Sequence, residues 1–194
     1  ATSGVIHVSN NSWGPPRFGE DTAALPATLR TAMQAAVDQG RGGRGTVIVF
    51  AAGNDRDVLE KDADQNIIDV GDDALDWNAI NGHRRVIAVG ALGPDGSFAP
   101  YSEPGVGLLI SAPGGIVGAG LVSTDLLGNA GFQPGDYTVQ EPAGDTNDDD
   151  ELPNATVVSG TSFAAPLVAG TVAMLLEARP QLSWRDVMHV LARS

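Results

Sequence analysis

The chain predicts an α/β fold in which a mostly parallel sheet carries helices on both faces. Three observations lead there. Residues 46–54 (TVIVFAAGN) and 85–92 (RVIAVGAL) are continuous apolar runs too short for helices, as expected of strands buried on both faces. A helix rich in Ala and Leu, residues 22–39, lies between an opening strand and the first of these runs. Residues 161–178 are apolar nearly all round, which predicts a buried helix rather than an amphipathic one.

The elements follow in chain order. Residues 5–9 (VIHVS) form a short β-branched strand that ends in turn formers and leads into a loop of functional character. Pro26 holds the start of the first helix to about its own position, and GRGGRG ends that helix. GVGLLISAPGG (105–115) and AGLVSTD (119–125) read as two more short strands. Another strand, Thr156 to Val158, runs through Gly160 directly into the apolar helix. Pro166 has no N–H to donate, so it is expected in the first turn of that helix. SWRD (183–186) fits a capping box and opens a last helix ending near Arg193. Strands alternating with helices indicate a parallel sheet, and 194 residues suit one domain with no internal repeat.

Composition narrows the function classes. The net charge of −13 argues against nucleic acid and anionic membranes as partners and leaves cations and basic peptides. Most of the acidic excess lies in two loop-like segments, 55–76 and 141–151. The absence of cysteine excludes disulfides, thiolate metal sites and thiol chemistry. No unbroken apolar run reaches about 18 residues, so no transmembrane helix is expected. The chain opens at Ala1 with neither Met nor a leader and reads as a mature form or a fragment.

The chemistry centres on VVSGTSFAAPLVAG (157–170). Ser162 sits where a strand passes through Gly160 into a helix, so its hydroxyl is presented at a strand's carboxyl end, where open α/β sheets bind ligands. The helix dipole and the free N–H groups there favour a developing negative charge. A serine in this place is also a common helix cap. Asn54, after Ala51, Ala52 and Gly53, could equally be a turn residue. Trp13 could be a core anchor.

GTSFAAPLVAG resembles the nucleophile motif of the subtilisin superfamily of serine proteases. AAGN (51–54) is similar to that family's oxyanion-hole segment, and NNSWG (10–14) to its substrate-binding strand. SWGP, QGRGGRG, YSE (101–103) and LSWRDVMHVLARS resemble the kexin and proprotein-convertase branch in particular. The resemblance implies a subtilisin-like three-layer sandwich and a serine endopeptidase with Ser162 as nucleophile. It implies that the Asn54 amide and the Ser162 backbone N–H hold the oxyanion. Ser12, Trp13 and Gly14 would pair with substrate, and Ala51, Ala52 and Gly53 would border the P1 pocket. Secretion or a cell-envelope location goes with the family.

The chain departs from that pattern in two places. Convertases that take basic P1 residues carry an acid shortly after WGP, whereas this chain has Arg17 there, so strict cleavage after Lys or Arg is not implied. His7, His83 and His189 are its three histidines, and none stands in the HGT context of the family. Subtilisins order their triad Asp, His, Ser. The missing pair would therefore precede Ala1, and the chain is expected to be the C-terminal part of a catalytic domain, its N-terminal strands lying upstream. A P-domain could follow Ser194. The alternative is a non-catalytic pseudoprotease or a calcium-stabilised binding module. The acidic loops read either as solvated loops or as calcium sites; for calcium, GDTNDDDE offers Asp145, Asn147 and Asp149 at alternating positions, and Asp76 and Glu103 are further candidates. Asp150 stands where an EF-hand needs Gly, so that loop is not an EF-hand.

Overall fold

The computed structural model describes residues 5–13, 26–56, 59–61, 67–70, 79–116, 118–124 and 155–194. Its centre is a four-stranded parallel sheet. The strands are β1 (Val8–Asn11), β2 (Val47–Ala51), β5 (Val86–Leu92) and β6 (Leu108–Pro113), in the order β1-β2-β5-β6. Two antiparallel pairs stand apart: β3 (Leu59–Lys61) with β4 (Ile67–Val70), and β7 (Leu121–Thr124) with β8 (Ala155–Val158). The β3–β4 pair falls inside the first acidic segment, which the sequence reading leaves as a loop. Nine acidic residues obscure the short β-branched run Ile67-Ile68 there.

Helix α1 (Ala27–Gly43) follows Pro26, whose carbonyl accepts from Arg30 N at 2.9 Å. Its dihedrals leave the helical region at Gly40, where the glycine run was expected to stop it. The buried Arg41 then donates to the carbonyls of Gly45 and Pro180, both at 3.1 Å, so this run ties the α1 exit to the end of the next helix. Every residue of β2 is buried, because the strand is covered on two sides. Ile48 and Phe50 share a groove of about 410 Å³ with Leu29, Met33 and Ala36 of α1. Helix α2 (Thr161–Ala178) packs across β1, β2, β5 and β6.

The core is aliphatic: Val47, Val49, Ile87, Val89, Val172 and Val187 are almost wholly enclosed. Each such side chain contributes about 1.5–3 kcal/mol through burial. By length and composition α2 could cross a membrane, but its packing on four strands makes it the core helix of this fold. Helix α3 (Trp184–Leu191) begins with the expected capping box. Ser183 Oγ accepts from Asp186 N, and the Asp186 carboxylate accepts from Ser183 N at 2.8 Å. Ser183 Oγ also donates to that carboxylate, and these bonds hold the Asp186 carboxyl below its usual range.

Candidate active site

Three backbone segments converge at the carboxyl ends of β1 and β2. They are Ser12-Trp13 after β1, Ala52-Gly53-Asn54 after β2, and Gly160-Thr161-Ser162 at the start of α2. Between β8 and α2, Gly160 turns the chain with φ 143°, a conformation that favours glycine. Its N–H donates to Gly114 O at 2.9 Å. Tyr101 Oη donates to the carbonyls of Gly114 and Gly115 at 3.0 and 2.7 Å and so supports the strap that holds Gly160. Burial pushes the Tyr101 phenol up, which keeps it in the donating form.

Asn54 is held by the residue before the candidate nucleophile. Its Oδ1 accepts from Thr161 N at 2.8 Å and from Thr161 Oγ1 at 2.9 Å. A backbone N–H can only donate, so the atom facing it must be the amide oxygen. That assignment leaves Nδ2 as the free end of an exposed side chain, with no hydrogen bond among the described residues. Thr161 is fully buried and also accepts from Gly53 N at 3.2 Å. Ser162 is the second residue of α2, in the turn whose N–H groups lack helical acceptors. Neither Ser162 N nor Oγ bonds another described residue.

Ala51, Ala52 and Gly53 are buried beneath this site. Asn81, itself buried, donates through Nδ2 to the carbonyls of Ala51 and Ala52 at 3.1 and 2.8 Å. Glu103 is enclosed under Gly53, and its Oε1 accepts from Asp55 N at 3.5 Å. Gly53 has φ 126°, and a Cβ there would stand 2.1 Å from Glu103 Oε1. Gly53→Ala is therefore expected to destabilise the fold by about 3 kcal/mol, combining a strained φ with overpacking at about 1–3 kcal/mol each. Urea unfolding checks this, and an unchanged midpoint would contradict the packing described.

On the facing segment, Ser12 Oγ donates to Ser162 O at 2.9 Å. Trp13 is half exposed and meets Phe50 edge to face, with centroids 5.2 Å apart. Its indole donates to Asn11 Oδ1 at 3.3 Å, and Asn11 Nδ2 donates to Val49 O at 3.1 Å, which anchors the segment to β2. Gly14, Arg17, Asp76, Asp145, Asn147 and Asp149 lie outside the described residues, as does most of both acidic segments.

The expectation for Pro166 needs correction: it is the sixth residue of α2, beyond the first turn. The helix must start at Thr161 to carry that residue onto Asn54, and this places Pro166 one turn too deep. Its missing N–H would have bonded Ser162 O, the atom that Ser12 contacts. Sequence reasoning also missed Thr161, Tyr101 and Asn81. Only the Gly-Thr-Ser spelling hinted at Thr161, and a lone asparagine in a polar loop gives no warning of Asn81.

None of the three histidines bonds Ser162. The carbonyl of His7 accepts from Val47 N, the first residue of β2. His7 is therefore at the amino end of the sheet, about 16 Å of strand from Ser12. The carbonyl of His83 accepts from Val86 N, the first residue of β5, again at the amino end. Burial and the neighbouring Arg85, Arg84 and Arg30 lower the His83 imidazole below its usual range. His189 is on α3, whose Trp184 N donates to Arg44 O just before β2. Helix α2 spans about 24 Å between Ser162 and that end.

The subtilase family model (Peptidase_S8) matches residues 2–194. The chain belongs to the subtilase family. It is 30% identical over 199 residues to a calcium-dependent protease of Trichormus variabilis, an alignment covering 94% of this chain and 26% of that protein. It is 30% identical over 189 residues to neuroendocrine convertase 2 of Drosophila melanogaster, covering 95% of this chain and 23% of the relative. The solved serine protease of Aeromonas sobria superposes with a TM-score of 0.74 at 27% identity, covering 97% of this chain and 33% of that one. These matches bear out the α/β subtilisin-like architecture and the kexin-branch resemblance. The chain spans about a quarter of the length of the curated relatives named here.

Proposed function

We propose that this subtilase-family chain is the nucleophile-bearing part of a longer serine endopeptidase domain. In this reading Ser162 Oγ attacks the scissile carbonyl to form an acyl-enzyme. Asn54 Nδ2 and Ser162 N donate to the oxyanion. The observation that carries it is the pair of bonds from Thr161 to Asn54 Oδ1, which leaves the amide's donor end free beside the nucleophile turn. A peptide would lie extended along residues 12–14, pairing as an added strand, with its P1 side chain toward residues 51–54. The general base and its carboxylate come from another part of the longer protein. Location outside the cytoplasm, in secretion or at the envelope, fits relatives that include a bacterial serine protease and convertases. The test is peptide hydrolysis by the full-length protein. Activity should vanish in Ser162→Ala, and hydrolysis that survives the substitution would overturn the assignment. A wild-type protein that folds without hydrolysing any peptide would favour a binding module.

Calcium is part of the proposal as a structural ion only. Relatives named calcium-dependent proteases suggest it. Among the described residues no three His, Cys, Asp or Glu side chains gather to hold a metal. Glu103 is a buried carboxylate beside the oxyanion segment, but one carboxylate is not a site, and no catalytic step is assigned to the ion. If calcium binds, millimolar calcium should raise the thermal midpoint over chelator. A hundredfold excess over Kd adds about 2.7 kcal/mol. An unchanged midpoint would remove calcium from the proposal.

A further inference from the structure

We infer that Ser12 is a positioning residue for the nucleophile. Its hydroxyl supplies to the Ser162 carbonyl the donor that Pro166 withholds from helix α2. The inference rests on the protease reading above and deepens it.

An α-helix satisfies the carbonyl of residue i with the N–H of residue i+4. For Ser162 that residue is Pro166, which has no N–H. The carbonyl faces the segment after β1, and Ser12 Oγ lies 2.9 Å away. A carbonyl oxygen only accepts, so the hydroxyl must donate. Asn10 Nδ2 reaches Ser12 Oγ at 3.5 Å from the other side, where the hydroxyl accepts, and this leaves its proton for Ser162. The bond joins residues 150 apart in sequence and is the only side-chain hydrogen bond from the segment after β1 to the nucleophile turn among the described residues. It therefore sets the distance between the strand that would hold substrate and the serine that would attack it. A proline at this point leaves the carbonyl open, so that the segment after β1 joins Asn54 in holding the first turn of α2.

This role differs from direct substrate contact. If Ser12 only bound substrate, its loss would raise KM. If it positions Ser162, its loss lowers kcat and the rate of active-site labelling and leaves KM nearly unchanged. In the full-length protein, Ser12→Ala is expected to lower kcat about threefold to tenfold with KM within about twofold, since a single neutral hydrogen bond is at stake. Ser12→Thr keeps the hydroxyl and should restore most of the rate.

The decisive measurement is a double-mutant cycle with Pro166→Ala, which returns an N–H to the helix opposite Ser162 O. In that background Ser12→Ala should cost less than about twofold in kcat, and its effect on the urea midpoint should shrink in parallel. Strictly additive effects on the midpoint would overturn the hydrogen bond as an energetic link. Coupled midpoints with an unchanged kcat would overturn the positioning role. A rise in KM alone would return Ser12 to substrate binding and overturn the proposal. A folded wild-type protein with no activity would refute the protease reading and the catalytic half of this inference, while the urea cycle would still decide the bond.

Discussion

Asn54→Ala in the full-length protein is expected to lower kcat by about 10²–10³ while changing KM little; this magnitude is carried over from subtilisin itself. The split follows from when the interaction matters. The ground-state carbonyl is a weak acceptor, and the charge that Nδ2 meets develops only as the tetrahedral intermediate forms. Asn54→Asp should be at least as harmful, because it places a carboxylate where negative charge accumulates. It would also turn acceptor oxygens toward both ends of the side chain and leave Thr161 as the sole determinant of its pose. A matched loss in ground-state binding and turnover would mean that Asn54 is a turn residue only. The geometry argues for orientation: with Oδ1 engaged by a backbone N–H at 2.8 Å, rotating the amide by a half-turn would set two donors against each other.

Such a pose could not be read from the sequence, although its ingredients could. The apolar runs around Val49 and Ile87 gave short buried strands because helices would need more residues, and the structure covers both faces of β2. The glycine run after Gln39 stopped α1 where expected, and SWRD capped α3 as written. Local chemistry decides all of these. Thr161 bonding to Asn54, or Asn81 to Ala51 and Ala52, spans 107 and 29–30 residues and depends on how strands stack, which no local pattern encodes. Pro166 illustrates the opposite failure. Proline chemistry alone favours the first turn, but the tertiary demand that Thr161 meet Asn54 fixed the helix start and pushed Pro166 inward.

The same long-range geometry bears on whether this chain can act by itself. A serine hydroxyl is a weak nucleophile unless an imidazole takes its proton, and the imidazole must lie within hydrogen-bond reach. His7 and His83 stand at the amino ends of their strands, and His189 lies beyond the far end of α2, so none stands beside Ser162 in this structure. β1 pairs with β2 alone among the described residues, and its other edge is free to receive a strand. That edge strand is polar, with Ser9, Asn10 and Asn11 following Val8. The exposed Val5, Ile6 and Trp13 flank it. A fluorophosphonate probe should accordingly label the full-length protein at Ser162, and Ser162→Ala should abolish the signal. The 194-residue chain, shown to be folded by circular dichroism, should label at least ~10³-fold more slowly, since removing the base from subtilisin's triad costs about 10⁶ in kcat. An unlabelled but folded chain locates the base outside these residues. Rapid labelling of the chain by itself would refute that conclusion and require His7, His83 or His189 to approach Ser162 in a conformation unlike this one.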